Sequence, residues 1–272
     1  MSGFDRAFDR LCSLFKDYVV DGFAGEYEAV ASDRSEPGAD SGAGAHTAAG
    51  ADSGAGVHTT RRADSGAGVH AAAGADSDGE SLDPQARRRE LDTLAEQIRE
   101  CSKCPLSAVR MNAVPAEGSL DALVMVIGEG PGADEDRSGR PFVGRAGRYL
   151  DKWLDAIGVS RDRNAFIANI VKCRPPQNRD PLPDERAACF PYLERQIELV
   201  RPKSILTVGR VSSRVITGVD ASMAELRKGE HMFRGIPVFA TYHPSAVLRN
   251  DALRRPVWED LKRLRSAFSG EA

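Results

Sequence analysis

The sequence predicts an α/β protein, a three-layer α/β/α sandwich around a small, mainly parallel central sheet. From residue 81 onward, strand-like apolar runs alternate with helix-like amphipathic segments, which is the pattern of βα units. The unusual glycine-rich and polar segments directly follow the strand-like runs. Because α/β proteins bind ligands at the carboxyl ends of parallel strands, we expect the active site at that edge.

The first elements of this domain are a helix and a buried strand. Asp83-Pro84 predicts a helix that begins with proline, and Leu91, Leu94 and Ile98 then follow on one face. The continuous apolar run Ala122–Gly128 predicts a strand that is buried on both faces. Gly158 closes the next helix stripe, which consists of Ala146, Leu150, Trp153, Leu154 and Ile157.

The remaining elements continue the alternation. Strands are predicted at Ala165–Val171, Ser204–Gly209 and Ile236–Tyr242. Helices are predicted at Glu185–Val200, Arg210–Thr217 and Pro256–Phe268. Pro191 lies inside the first of these helices, so we expect a kink or a later start there.

The first 80 residues differ from the rest. Residues 1–35 contain an amphipathic pattern, with Phe4, Phe8 and Leu11 on one face, and predict a short helix that docks on its own domain or binds a partner protein. Residues 36–80 contain a Gly, Ala, Ser and Asp repeat that cannot bury enough apolar surface to fold. We therefore expect a flexible linker before a domain at residues 81–272. The repeat also carries His46, His58 and His70, which duplication explains as well as metal binding does.

Charge separates the same two regions. Residues 1–80 carry 14 acidic and 6 basic side chains, whereas the rest of the chain carries 26 acidic and 31 basic ones. A basic body fits a polyanionic partner without proving one. No run approaches the ~18 apolar residues of a membrane span, and no apolar leader follows the charged start. We expect a soluble, cytoplasmic and monomeric protein.

A glycine-rich loop follows the first predicted strand. It consists of Gly128–Gly132, and the acidic run Asp134–Asp136 and the segment Gly139–Gly144 come after it. Glycines let a backbone approach a phosphate or sugar closely, although a structural turn has the same composition. Adjacent carboxylates repel a polyanion unless one of them acts on a developing cation, which favours chemistry at a sugar carbon.

Two further polar segments are predicted at the same edge. Asn169 ends the second strand and is either an ordinary cap or, through its carboxamide donor and acceptor, a residue that binds a nucleobase edge. Tyr242–Asn250 follows the last strand and contains His243. A lone histidine is more often structural, but this one shares the edge with two other polar loops.

Four of the five cysteines form two pairs. Cys101 and Cys104 form a Cys-x-x-Cys motif, and Cys173 and Cys189 follow the second predicted strand. An odd number of cysteines in a protein that is not secreted argues against a disulfide framework. Two thiolate pairs suit a tetrahedral zinc or an iron–sulfur cluster, and spacing alone does not choose between them or exclude chance buried thiols. Cys12 belongs to no pair.

These segments resemble the motifs of family 4 uracil-DNA glycosylases, which carry a [4Fe–4S] cluster. The resemblance covers about residues 87–268 in a consistent order and lies in Gly128–Gly132, Gly139–Gly147, Asn169–Pro176, Asn178-Arg179 and His243–Arg249. It implies the uracil-DNA glycosylase fold, a cluster on the four paired cysteines, and single- or double-stranded DNA containing uracil as the partner. The implied reaction hydrolyses the N-glycosidic bond of deoxyuridine after the base has left the stack.

The resemblance also implies roles for individual residues. Phe142 would stack on the uracil, Asn169 would bond to its edge, and His243 would stabilise negative charge on the departing base. Glu129 is the first candidate for a carboxylate that assists the oxocarbenium-like sugar. Gly130 would lie beside the substrate.

Four more residues would assist. Glu135 and Asn178 are expected to help the carboxylate. Leu248 would enter the duplex after flipping, and Arg249 would hold a phosphate or the groove, unless both are plain loop residues.

Two positions depart from the better-known family 1 enzymes. Gly130 stands where those enzymes place a water-activating aspartate, and Gly132 stands where they place a tyrosine that excludes thymine. The segment Cys173–Asn178 contains no histidine, which favours the ordinary hydrolytic branch over a related group that bonds covalently to the sugar. The competing class is a non-catalytic DNA-binding module with an iron–sulfur cluster or zinc.

Overall fold

The structure, a computed structural model, describes residues 83–269. The amphipathic helix predicted in residues 1–35 and the linker predicted at residues 36–80 lie outside the described residues.

The helices of the described part include all those that the sequence predicts from residue 81 onward. Their bounds are α1 Pro84–Glu100, α2 Ala133–Ser138, α3 Arg145–Ala156, α4 Pro183–Val200, α5 Arg210–Thr217, α6 Met223–Leu226, α7 Pro244–Val247 and α8 Arg254–Ser269. Short 3-10 turns occur at Pro105–Ala108, Pro176–Asn178 and Asp251–Leu253. None of the helices between residues 84 and 269 is long and apolar enough to cross a membrane.

One six-stranded sheet organises these helices. Its strands are β1 Glu117–Gly118, β2 Val124–Gly128, β3 Ala165–Asn169, β4 Ser204–Val208, β5 His231–Phe233 and β6 Ile236–Thr241, in the spatial order β1-β3-β2-β4-β6-β5. The four central strands are parallel, whereas β1 and β5 pair antiparallel at the two edges. The predicted mainly parallel sheet is confirmed. The edge strands were not predicted, because two or three residues are too few for a periodic pattern.

The alternating side chains of β2 enter two separate cores. Met125 and Ile127 lie in one buried cluster with side chains of α1 and α4. Val124 and Val126 lie in a second cluster with side chains of α3 and α8. Helices therefore cover both faces of the sheet, as the three-layer prediction requires, and the continuous apolar run is explained by burial on both faces.

Helix α4 passes through Pro191 and begins at Pro183, so the later start predicted at that proline is wrong. A proline leaves the carbonyl four residues earlier without its helical partner. That carbonyl belongs to Ala187, an exposed position where water can bind it. The helix start is also stabilised, because Glu185 accepts a hydrogen bond from the Leu182 N–H at 2.7 Å.

Candidate active site

A cavity of about 570 Å³ lies at the carboxyl ends of the parallel strands. Gly128, Asn169 and Val208 end three of these strands, and the loops that follow them form the walls. The predicted catalytic and substrate-binding residues that line the cavity are Glu129, Gly130, Glu135, Phe142, Asn169, Asn178, His243 and Arg249.

Leu248 is the one predicted catalytic or substrate-binding residue that does not line this cavity. It is half-buried against the core cluster of α3 and α8, directly before the exposed Arg249.

The side chain of Asn169 is buried, with 2% of the residue exposed. Its Oδ1 has no hydrogen-bond partner among the described residues. A Cβ at Gly128 would lie 2.4 Å from this oxygen, so a glycine at the end of β2 makes room for the amide. A buried acceptor without a partner is costly, and here it lines a cavity that a ligand with an N–H donor could enter.

Phe142 has a backbone conformation that is rare for its residue type. Its φ is +53°, in the left-handed region, and its ring is nearly buried. The ring centroid lies 5.9 Å from that of His243, with an interplanar angle of 34°. The ring also packs against β2, since a Cβ at Gly128 would lie 2.5 Å from its Cζ.

The carboxylate of Glu135 joins the two glycine-containing loops. Its Oε1 accepts hydrogen bonds from the N–H groups of Val143 and Gly144, both at 2.9 Å. Its Oε2 accepts from the Gly132 N–H at 3.1 Å. A Cβ at Gly132 would lie 2.8 Å from Oε2, so a larger residue at this position would require the carboxylate to move.

The other two carboxylates of the acidic run are also bound within the protein. Asp136 is buried and accepts hydrogen bonds from the N–H groups of Met111, at 2.9 Å, and Asn112, at 3.3 Å. Asp134 forms an ion pair with Arg137. These contacts hold the loops together, which leaves Glu129 as the candidate for a carboxylate beside a developing cation.

Burial raises the pKa of Glu129 to about 7, and the negative charge of Asp180 acts in the same direction. The Arg210 guanidinium opposes this shift, and it also donates a hydrogen bond to Asp180 at 3.0 Å. A carboxyl group with such a pKa is present in both protonation states near neutral pH. The adjacent position 130 has little space for a side chain, since a Cβ on Gly130 would lie 2.8 Å from Val171 Cγ2.

Burial lowers the pKa of His243 to about 4, and the positive charge of Arg249 adds to this effect. The ring is therefore neutral at pH 7. Its Nδ1 accepts a hydrogen bond from the Ser245 N–H at 3.2 Å and lies 2.8 Å from the Ser245 hydroxyl. Because Nδ1 is an acceptor, the proton of the neutral ring is on Nε2.

Polar residues form the rim of the cavity. Asn178 is exposed, and its Oδ1 accepts a hydrogen bond from Arg174 Nε at 2.8 Å. Arg145 and Arg210 are exposed lining residues that the sequence analysis did not assign to the site. Arg145 lies in the segment Gly139–Gly147, and Arg210 begins the helix after β4. Each of them directly follows a glycine, Gly144 or Gly209, and this position in the sequence could have indicated that they belong to the site.

The four paired cysteines line a second, small cavity together with Lys103, Arg110, Lys172 and Tyr192. Arg110 Nη1 lies 3.0 Å from Cys173 Sγ, and the Lys172 N–H donates to Cys189 Sγ at 3.3 Å. Burial raises the pKa of the Cys189 thiol to about 11, whereas the Lys172 charge acts in the opposite direction. In the part of the chain that the structure describes, no three or more His, Cys, Asp or Glu side chains are grouped so that they could hold a metal ion.

The fold and the cavity define a class of protein. The model of the family described as the Uracil DNA glycosylase superfamily matches residues 115–262, which include all the residues that line the cavity. The chain is thus a member of that superfamily.

Individual relatives narrow the assignment. A type-4 uracil-DNA glycosylase of Saccharolobus solfataricus is 45% identical over 190 residues, which are 66% of this chain and 88% of that protein. A type-4 uracil-DNA glycosylase of Thermotoga maritima is 41% identical over 189 residues, 68% of this chain and 98% of that protein. A type-5 uracil-DNA glycosylase of Pyrobaculum aerophilum is 33% identical over 186 residues, 57% of this chain and 82% of that protein. The chain belongs to the family of type-4 uracil-DNA glycosylases, as its motifs predict.

Proposed function

We propose that this protein is a uracil-DNA glycosylase of DNA repair, which hydrolyses the N-glycosidic bond of deoxyuridine in DNA. The products are free uracil and an abasic site. The observation that carries the proposal is the buried Asn169 amide, whose Oδ1 lacks a partner among residues 83–269 and lines the same cavity as Phe142 and His243. The type-4 relatives support the same activity.

Asn169 and Phe142 would recognise the flipped base. Uracil presents an N3–H donor between two carbonyl acceptors, so the free Oδ1 can accept from N3–H while the amide nitrogen donates to a carbonyl. Cytosine has no hydrogen on N3, and it carries an amino group where uracil has a carbonyl. The same amide geometry therefore selects against cytosine. The nearly buried Phe142 ring offers an apolar face on which the base can stack.

His243 would stabilise the leaving base. When the bond from C1′ to N1 breaks, both of its electrons go to uracil and negative charge develops on the ring and its carbonyl oxygens. A neutral imidazole with its proton on Nε2 can donate a hydrogen bond to this charge without first gaining a second proton. The hydrogen bond from the Ser245 N–H to Nδ1 supports this tautomer.

Glu129 would act on the sugar side of the same bond. Loss of uracil leaves positive charge on C1′ and the ring oxygen, and a water adds to C1′ and releases a proton. A nearby carboxylate stabilises the cation and can accept that proton. Glu135 would assist by holding the glycine-containing loops, and Asn178, on the rim, would help to order the water.

Exposed arginines support DNA as the partner. Arg145, Arg210 and Arg249 lie at the cavity where the phosphates beside a flipped nucleotide would pass. Leu248, next to Arg249, would fill the gap that the flipped base leaves in the duplex.

Cys101, Cys104, Cys173 and Cys189 would hold a [4Fe–4S] cluster. The four thiols line one cavity, which supports this proposal. Each thiolate of such a site would bind a different iron, so the four sulfurs need not converge on one ion. N–H groups of Arg110 and Lys172 point at two of the sulfurs, which suits ligands that carry negative charge. The cluster would join the end of α1, the loop after β3 and helix α4, and its contribution would be structural.

The test uses an oligonucleotide with one uracil. The protein is incubated with it and the product is treated with alkali, which breaks the strand at an abasic site. We expect breakage at the uracil, and none in a matched oligonucleotide with thymine in its place. Tight binding of the uracil oligonucleotide without breakage would support the non-catalytic DNA-binding module instead.

A further inference from the structure

Arg161 does not line the active-site cavity, yet it contacts the backbone that carries Phe142. It lies between α3 and β3, and its side chain is 11% exposed. Its Nη1 donates to the carbonyl of Pro141 at 3.1 Å, and its Nη2 donates to the carbonyl of Phe142 at 2.9 Å. Because a guanidinium is planar and rigid, these two bonds fix the directions of two successive carbonyls.

The guanidinium of Arg161 is itself held from two elements. Its Nε and Nη2 donate to Asp151 Oδ1, in α3, at 3.1 and 2.8 Å. Its Nη1 also lies 3.6 Å from Glu117 Oε2, in β1. Arg161 therefore connects Phe142 to α3 and β1.

The backbone of Phe142 requires such restraint. A non-glycine residue with a φ of +53° is strained and keeps that conformation only where its surroundings enforce it. Glu135 binds the N–H groups of Val143 and Gly144, the two residues that follow Phe142. Arg161 binds the carbonyl of Pro141, which precedes Phe142, and the carbonyl of Phe142 itself.

We propose that Arg161 is a positioning residue for base recognition. It keeps Phe142 in its left-handed conformation, so that the ring is presented to the base beside His243. The inference deepens the proposed function and rests on it, since it concerns the ring on which the uracil would stack. Arg161 should accordingly affect the binding of uracil in the pocket and not the binding of the DNA backbone.

The first experiment compares Arg161→Gln with Arg163→Gln. Arg163 lies in the same segment, is exposed, and donates to Ser160 Oγ at 3.0 Å, so the control removes an equal charge without touching Phe142. We expect Arg161→Gln to raise the inhibition constant of free uracil about tenfold, with the affinity for abasic-site DNA unchanged within about twofold. Arg163→Gln should change neither constant.

A double-mutant cycle tests whether Arg161 acts through Phe142. In a Phe142→Ala background, Arg161→Gln should have no further effect on uracil inhibition, because the ring that it positions is gone. If Arg161→Gln does not fold, Asp151→Asn replaces it. That variant loosens the guanidinium and should weaken uracil binding in the same direction by a smaller factor.

Two results would overturn the inference. One is an unchanged inhibition constant in Arg161→Gln, or in Asp151→Asn where that variant is used. The other is an effect of equal size in the presence and absence of the Phe142 ring. A wild-type protein that does not excise uracil would refute the proposed function, whereas a wild type that excises uracil with an unaltered Arg161→Gln variant would refute the positioning role alone.

Discussion

At the scale of single residues, burial in one cavity shifts the pKa values of two side chains in opposite directions. It raises the pKa of Glu129 to about 7 and lowers the pKa of His243 to about 4. Both shifts have the same origin, because a poorly solvated site disfavours the charged form of an acid and of a base. The histidine is thus neutral at pH 7, while the glutamate changes its charge near neutral pH.

The pH dependence of the reaction should follow from these two shifts. An acid with a raised pKa loses its negative charge as the pH falls through that pKa, so the single-turnover rate should drop on acidification through about pH 7. His243 becomes charged only near pH 4 and should not contribute to this drop. A profile measured from about pH 5 to about pH 9 tests this. Glu129→Gln should be slower than the wild type and should lack the transition, with DNA affinity little changed. The same transition in Glu129→Gln would contradict the assignment.

Asn169→Asp tests base recognition separately from chemistry. The substitution sets a carboxylate against a uracil carbonyl and removes an amide donor, although it could offer an acceptor to the amino group of cytosine. A mispaired buried polar group costs roughly 1–3 kcal/mol, so uracil excision should fall at least about tenfold. Single-turnover assays with uracil- and cytosine-containing oligonucleotides provide the measurement. Wild-type excision of uracil by this variant would remove Asn169 from the proposed role.

At the scale of elements, the site depends on how closely α3 approaches the segment before it. Gly147 is the third residue of this helix, and a Cβ there would lie 1.8 Å from the carbonyl oxygen of Phe142. Because the clash is with backbone, it cannot be relieved by a side-chain rotation. The glycine is therefore required by packing, although glycine inside a helix is unfavourable on its own.

Gly147→Ala should consequently damage both the fold and the site. Overpacking against backbone is expected to cost roughly 1–3 kcal/mol of unfolding free energy and to displace Phe142. The melting temperature and the inhibition constant of free uracil are the two measurements. Ala156→Gly, at the end of the same helix, is the control, since it should lower stability by about 1 kcal/mol without weakening uracil binding. An unchanged uracil constant in Gly147→Ala would show that the ring does not depend on this contact.

The cysteine pairs belong to the same scale, because they lie after α1, in the loop after β3 and in α4, which the proposed cluster would join. Protein prepared anaerobically should be brown and should contain iron and inorganic sulfide. Cys189→Ser should lower the content of both, since a buried ligand would be lost. Cys12→Ser, which removes the cysteine outside the pairs, should leave the spectrum unchanged. Stoichiometric zinc and a colourless protein would exclude the cluster.

At the scale of the whole molecule, we propose that residues 81–272 form a domain that functions without the segment before it. The residues that line the active-site cavity all fall between Glu129 and Arg249, and the cysteine cavity begins at Ile98. The Gly, Ala, Ser and Asp repeat of residues 36–80 offers little apolar surface for packing against that domain.

Deletion of residues 1–80 should therefore leave excision from a short oligonucleotide within a few-fold of the full chain. The comparison requires equal iron content in the two proteins, so that loss of the cluster is not mistaken for loss of the segment. A truncated protein that folds and keeps its cluster but does not excise uracil would show that the domain boundary is wrong.

The sequence by itself determined the elements that have a long enough pattern and the positions where strands end. The run Ala122–Gly128 predicted a strand, because burial on both faces leaves a continuous apolar run, and the stripe before Gly158 predicted a helix, because burial on one face leaves a helical period. Strand ends in a parallel sheet meet at one edge, so the sequence also predicted that Glu129, Asn169 and His243 would share a cavity. The sequence also showed the two cysteine pairs, because their spacing along the chain can be read directly.

Only the tertiary structure decided what depends on contacts between distant segments. The acidic run suggested a charge acting on substrate, yet Glu135 and Asp136 bind backbone N–H groups of neighbouring loops. Gly132 leaves room for the Glu135 carboxylate, and Arg161 reaches the carbonyl of a residue 19 positions earlier. The composition and the hydrophobic period of a segment indicate which of its residues are buried within its own helix or strand. They do not indicate which polar group of another segment lies within hydrogen-bond distance, because that distance is set by how the layers pack.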